Sequence, residues 1–160
     1  MPSLPQLLEE DIAEIQTVLQ ELLVKTDAST AFLIDKAGFC ITQCGRFPDL
    51  DVTTLAALSA ASFAATETIA GLVLERNFSS VYQQGENFSL LVINVDEYSL
   101  LTVLFRADLS VGAIKYYAAD LTKLIAQQLQ LAHERSPDTS FDLSMVNLAD
   151  PSPLFRRKAG

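Results

Sequence analysis

At 160 residues the chain has the length of a single domain, enough to remove roughly two thirds of its unfolded surface from water. Hydrophobic residues make up 49% of it, and 20 acidic against 11 basic side chains give a net charge of -9. That balance argues against nucleic acid or an anionic membrane surface as a partner, because both are held through clustered Lys and Arg, and one His, two Cys and no Trp leave little for a metal centre or His-dependent catalysis.

The N-terminus, Met1 to Asp11, carries two prolines and three consecutive acids where a secretory signal needs a basic start and an apolar run, so a cytosolic protein is expected. From Leu8 to Lys25 the apolar residues Ile12, Ile15, Val18, Leu19, Leu22 and Leu23 recur at helical spacing. Acids fill the first turn and Lys25 stands near the end, the polarity that suits a helix dipole. The period then changes. Ala31–Lys36 and Phe39–Cys44 read as two strands joined at Ala37-Gly38, a β-hairpin. In such a strand Cys40 and Cys44 share a face about 13 Å apart, beyond disulfide reach.

After the loop Gly45–Asp49, Asp51 is placed to cap a helix running from Val52 to about Arg76. This helix is apolar enough to be mistaken for a membrane span, but Ser59, Ser62, Thr66, Glu67 and Thr68 interrupt it, and no membrane insertion is expected. Leu55, Leu58, Ile69, Leu72 and Val73 are expected to form its core stripe. Ala56, Ala57, Ala60, Ala61, Ala64, Ala65, Ala70 and Gly71 leave a wide arc with little bulk. Two readings of that arc stay open. Alanine is a good helix former and packs under a sheet, or the small arc is a docking surface for a second helix or another protein.

Ser79–Gln84, Phe88–Val95 and Ser99–Phe105 read as three strands with tight turns, an antiparallel meander. The last two are almost continuously apolar and should lie centrally, covered on both faces. The first is polar and should lie at an edge, where another chain can pair. Ser110 is a candidate cap for a final helix, Val111 to Arg135. The domain is expected to span residues 8–135, and residues 136–160 to form a tail that is flexible or ordered by a partner. In the tail, Phe141, Met145 and Leu148 stand at helical spacing and Arg156-Arg157-Lys158 is the chain's basic cluster. Without that cluster, 8 basic residues face 20 acidic ones. The order helix, two strands, helix, three strands, helix predicts an α+β fold, with a five-stranded antiparallel sheet covered by helices.

The chemistry-bearing residues form no catalytic set. The six glycines, at 38, 45, 71, 85, 112 and 160, build neither a phosphate loop nor a dinucleotide fingerprint. His133 near the end of the last helix suits the dipole better than a ligand role, and Asp35 and Lys36 read as turn charges. Arg46, Arg76 and Arg106 have no context that would make any of them an arginine finger. No cofactor and no metal are expected.

Phe32-Leu33-Ile34-Asp35-Lys36-Ala37-Gly38 across the hairpin, Asp51 to Leu58 opening the small-residue helix, Ala64-Ala65 within it, Phe78 through Gly85, Leu104-Phe105 and Ser110-Val111-Gly112 together resemble the Roadblock family of dynein light-chain-like proteins. Within the family they are similar to the bacterial MglB-type partners of Ras-like GTPases, over residues 10 to 135. The resemblance implies a homodimer in which the second helices pack side by side and edge strands join two sheets, involving Ala65, Gly71, Ser80, Val81, Tyr82 and Gln83. It further implies that the helical face receives a Ras-like small GTPase through Ala57, Ala60, Ala61, Ala64 and Thr68, with Phe141, Met145 and Leu148 as a tail contact. In that role the protein stimulates GTP hydrolysis by repositioning the GTPase's own residues, as a regulator in cell polarity or motility rather than an enzyme. A scaffold that recruits the GTPase without changing its turnover is the other function such a dimer could serve.

Overall fold

In the computed structural model, which describes residues 3–135, the element order is α1 (Glu9–Thr26), β1 (Thr30–Asp35), β2 (Cys40–Gly45), α2 (Val52–Leu72), β3 (Ser80–Gln83), β4 (Phe88–Asn94), β5 (Ser99–Arg106) and α3 (Val111–Arg135). The five strands form one antiparallel sheet in the order β2-β1-β5-β4-β3. The local hairpins account for β1 with β2 and for the meander. The pairing of β1 with β5 joins them, with Phe32 opposite Thr102 and Leu33 opposite Leu101. Both β2 and β3 are left as edges.

The two faces of the sheet bury different things. α1 and α3 cover one face, where Ile15, Leu19 and Leu22 of α1 and Ile114, Leu121 and Ile125 of α3 close over Leu33, Leu101, Val103 and Phe105. The other face is covered by α2 alone. Phe63 with Ala56 and Ala60 rests on Phe32, Ile34, Val92 and Leu100. β5 alternates between the two cores and is buried from Ser99 to Phe105, which explains its nearly unbroken apolar run.

Caps and turns follow from single residues. Asp51 accepts from the Thr54 N–H at 3.0 Å and the Thr54 hydroxyl at 2.6 Å, opening α2. These bonds hold its carboxyl below the usual carboxylate range. Ser110 Oγ accepts from the Ala113 N–H at 3.3 Å and opens α3. At the β1–β2 turn Gly38 has φ +102°, and a Cβ there would stand 3.0 Å from the Ala57 Cα, so glycine is needed both for the turn and for the approach of α2. Asp35 Oδ1 closes this turn by accepting from the Phe39 N–H at 2.9 Å, and Lys36 pairs with Glu67 of α2 at 3.5 Å. α2 ends four residues before the expected Arg76. Leu74 turns left-handed at φ +60° and the Glu75 N–H reaches back to the Ala70 carbonyl at 2.9 Å, a termination the sequence signals with no glycine.

α1 and α3 run antiparallel and are locked where α1 begins and α3 ends. The buried Asp11 carboxylate accepts from the Leu8 N–H at 2.7 Å, from Gln128 Nε2 at 2.8 Å and from the Arg135 guanidinium. Burial pushes this carboxyl up, but the three donors outweigh it and hold it below its ordinary value of 3.8. A lowered folded pKa stabilises the native state above the unfolded value, and that contribution disappears as pH falls through the folded pKa. Asp11→Ala is therefore expected to cost about 2 kcal/mol at pH 7, because a charge-assisted network is removed. In denaturant titrations the gap between variant and wild type should narrow below about pH 4; a gap independent of pH would contradict this assignment.

Candidate functional interface

α2 is the element whose surroundings are incomplete. Its only charged residue, Glu67, is engaged by Lys36. By length and composition alone α2 could cross a membrane, yet it lies along the sheet and buries Ala56, Ser59, Ala60, Phe63 and Ala70 there. A helix that is apolar all round needs cover all round, and the sheet supplies it on one side only.

The expected core stripe of this helix is corrected by the structure. Leu58, Ile69 and Leu72 are 61%, 50% and 79% exposed, Val73 is exposed as well, and Leu55 is only half-buried. The sheet is met instead by Phe63 flanked by small residues, because alanine lets the helix axis come close to the strands. The small arc is thus split. Ala56, Ala60 and Ala70 belong to the packed side, with Ala60 only 5% exposed. Ala60 therefore leaves the set expected on the partner-binding face. Its neighbours in that set remain on the surface: Ala57, Ala61, Ala64 and Thr68 are exposed and follow one another at intervals of four, three and four residues, a single line along the helix. The Thr68 hydroxyl donates to the Ala64 carbonyl at 3.2 Å, so the line presents little free polarity.

A second line lies beside it. Leu58, Ala65, Ile69 and Leu72 are exposed, and Leu58, Ala65 and Leu72 recur every seven residues, the spacing at which two helices meet along a shared seam. Sequence reasoning misses Leu58, Ile69 and Leu72 as surface residues. A signal is nonetheless present: each lies well round the helix from Phe63, the one aromatic of α2. Gly71, grouped with Ala65 on the basis of resemblance, instead continues the line of Ala64 and Thr68, and a Cβ at Gly71 would meet nothing within 4 Å.

β3 lies at the sheet edge on the flank of α2. Val81 packs into the α2 core, while Tyr82 points to the opposite face and stacks on Phe105 with centroids 6.2 Å apart. Ser80 to Gln83 pair with Ile93 to Leu90 on one side only. The structure therefore sets an open strand edge next to an uncovered apolar helix.

The other singled-out residues gather into no reactive site. Cys40 and Cys44 are free thiols whose pKa values are raised by burial. His133 stacks on Tyr98 with centroids 6.0 Å apart. Arg106 pairs loosely with Asp27 and Asp108, and Arg46 lines a shallow depression with Phe47 and Pro48. Among the described residues no three His, Cys, Asp or Glu side chains converge as metal ligands. Phe141, Met145 and Leu148 lie outside the described residues.

Comparison with known proteins places this arrangement. An MglB structure with a tetrameric arrangement superposes with a TM-score of 0.76 at 28% identity, covering 82% of this chain and 99% of that one. The gliding protein MglB from Thermus thermophilus gives 0.74 at 28% identity, with coverages of 82% and 99%. Myxococcus xanthus MglB gives 0.73 at 27%, with coverages of 79% and 96%. No curated protein sequence matches the chain significantly. The family model of the Roadblock/LC7 domain matches residues 14–105, more than half of the chain, and the chain belongs to that family.

Proposed function

We propose that this protein is the regulatory half of a small-GTPase switch. It forms a homodimer through α2 and the β3 edge, receives an MglA-type Ras-like GTPase on its helical face, and accelerates GTP hydrolysis in the cytoplasm, in the control of polarity or motility. The observation that carries the reading is the uncovered apolar face of α2 beside an open strand edge. Leu58, Ala65 and Leu72 offer a seam to the same helix of a second copy, and Ser80–Gln83 offer backbone groups to its β3. Ala57, Ala61, Ala64 and Thr68 then provide a low surface on which another protein's backbone can come close. Likeness to MglB, including a gliding protein, supports the choice of partner.

In this mechanism the chain contributes shape and water exclusion, and the GTPase's own residues perform the chemistry. The decisive measurement is single-turnover GTP hydrolysis by the Ras-like GTPase of the same genome, with and without the full chain. Intrinsic turnover of such GTPases is on the order of 10⁻⁴ s⁻¹, and an acceleration of at least tenfold is expected. Binding with unchanged turnover would leave a scaffold in place of an activator, and absence of binding would remove the GTPase as partner altogether.

A further inference from the structure

Between the C-terminal half of α2 and the start of β3 the surface sinks into a hollow of about 220 Å³. Phe63 and Glu67 of α2 line it, with Lys36 from the β1–β2 turn, Phe78 and Ser79 ahead of β3, and Asn94 at the end of β4. Asn94 stands opposite Leu100, on the sheet face that α2 covers, and its Oδ1 is buried without a hydrogen-bond partner among the described residues. A buried acceptor left unpaired carries a desolvation cost that only a donor offsets. Lys36 reaches Glu67 Oε1 at 3.5 Å, long for an ion pair, with both side chains partly exposed. On the far side of that pair lies a wider hollow of about 570 Å³, lined among others by Asp35, Glu97 and Tyr98.

We propose that the smaller hollow receives an arginine side chain from the protein that docks on α2. Charge sets the sign of the ligand: Asp35, Glu67 and Glu97 surround the one base, Lys36, so an anion would meet three carboxylates and a cation finds its counter-charges in place. Geometry selects the guanidinium among cations. Its planar fork carries five N–H donors, enough to serve the Glu67 carboxylate and the Asn94 Oδ1 together. Its weak hydration suits the rings of Phe63 and Phe78, whereas an ammonium is a strongly hydrated point charge. Lys36 competes for Glu67 through a long contact, and its flexible stem can turn toward Asp35 and Glu97 across the wider hollow. The carrier follows from position. Phe63 and Glu67 immediately precede Ala64 and Thr68 of the exposed small-residue line, so a chain lying along that line passes the mouth of the hollow. The choice of carrier rests on the proposed function, whereas the chemistry of the hollow does not.

The first test uses the full chain, labelled with ¹⁵N, and N-acetylarginine amide as the probe. Saturable shifts of the Asn94 side-chain amide and of the Glu67 and Thr68 backbone amides are expected, with a dissociation constant below about 10 mM. The citrulline analogue, which replaces guanidinium by neutral urea, should give none at matched ionic strength. Glu67→Gln and Asn94→Leu should each weaken the probe by about fivefold or more, and Lys36→Met, which removes the competing cation, should tighten it by about twofold or more. A Glu67 that acted only by tying α2 to Lys36 would make Glu67→Gln and Lys36→Met change binding in the same direction, and that result would overturn the proposal. So would the absence of saturable shifts with the arginine probe, or equal shifts with the citrulline analogue. The second test is calorimetric titration of the Ras-like GTPase of the same genome: Glu67→Gln should weaken it by about fivefold or more, and affinity equal to that of a binding wild type would overturn the assignment of the arginine to this partner. A wild type that binds no GTPase would instead remove the proposed function, and the probe titration would still decide the chemistry of the hollow.

Discussion

Ala64→Trp is expected to weaken binding of the proposed partner GTPase at least tenfold, about 1.4 kcal/mol or more, while leaving the thermal midpoint of the protein unchanged. Ala64 sits on the exposed line Ala57–Ala61–Ala64–Thr68 and makes no part of either core. A surface substitution of this kind ordinarily changes stability by no more than about 0.5 kcal/mol, so a loss of affinity would come from the interface alone. The indole would hold an incoming backbone several ångströms off the helix, and an approach that depends on small residues cannot absorb that. Ala65→Trp is the informative companion, because Ala65 shares the Leu58–Leu72 line and its enlargement should shift the equilibrium of the proposed dimer first. Titration calorimetry and light scattering on both variants distinguish the two lines. If Ala64→Trp binds as tightly as wild type, the GTPase does not use this line.

The contrast between the two faces of the sheet explains which parts of the structure the sequence makes legible. Strand positions follow from short apolar runs between Gly38, Gly85 and the Asp96–Tyr98 turn, and they agree with the structure within one residue at each end. Helix starts are written in Asp51 and Ser110, whose side chains bond the first free amides. α1 and α3 are legible in orientation too, since apolar and charged residues segregate on each. The pairing of β1 with β5 has no local signal, because it joins segments about 70 residues apart and is fixed only by burial on both sides. α2 fails differently: with leucine, isoleucine and alanine on every side, periodicity gives its identity as a helix but not its rotation. The large aliphatic residues look like core until the structure shows Phe63 and alanine in that place. The same ambiguity bears on the proposed interface, for a helix without a polar face needs cover on both sides and the sheet covers one.

Phe63→Ala is expected to be the most destabilising single change on the α2 side of the molecule, costing about 3–5 kcal/mol out of a total that for such domains is about 5–15 kcal/mol. Every other side chain that α2 buries is small, namely Ala56, Ser59, Ala60 and Ala70. Phe63 is therefore the one large side chain of α2 fully buried against Phe32, Ile34, Val92 and Leu100, with Leu55 half-buried beside the same cluster, and Lys36 lies 5.7 Å from the Phe63 ring centroid as a further tie. The interface has no reserve, since the buried hydroxyls of Ser59 and Thr102 find no hydrogen-bond partner among the described residues. Denaturant titration at fixed protein concentration measures the loss, and a cost below about 1 kcal/mol would mean that α2 is held chiefly by something other than Phe63. Because α1 and α3 cover the opposite face, the damage should begin locally, with α2 amides losing exchange protection before those of β1 and β5. The variant should also bind the proposed partner GTPase more weakly although Phe63 is buried, because the exposed line of small residues keeps its position only while Phe63 holds the helix on the sheet.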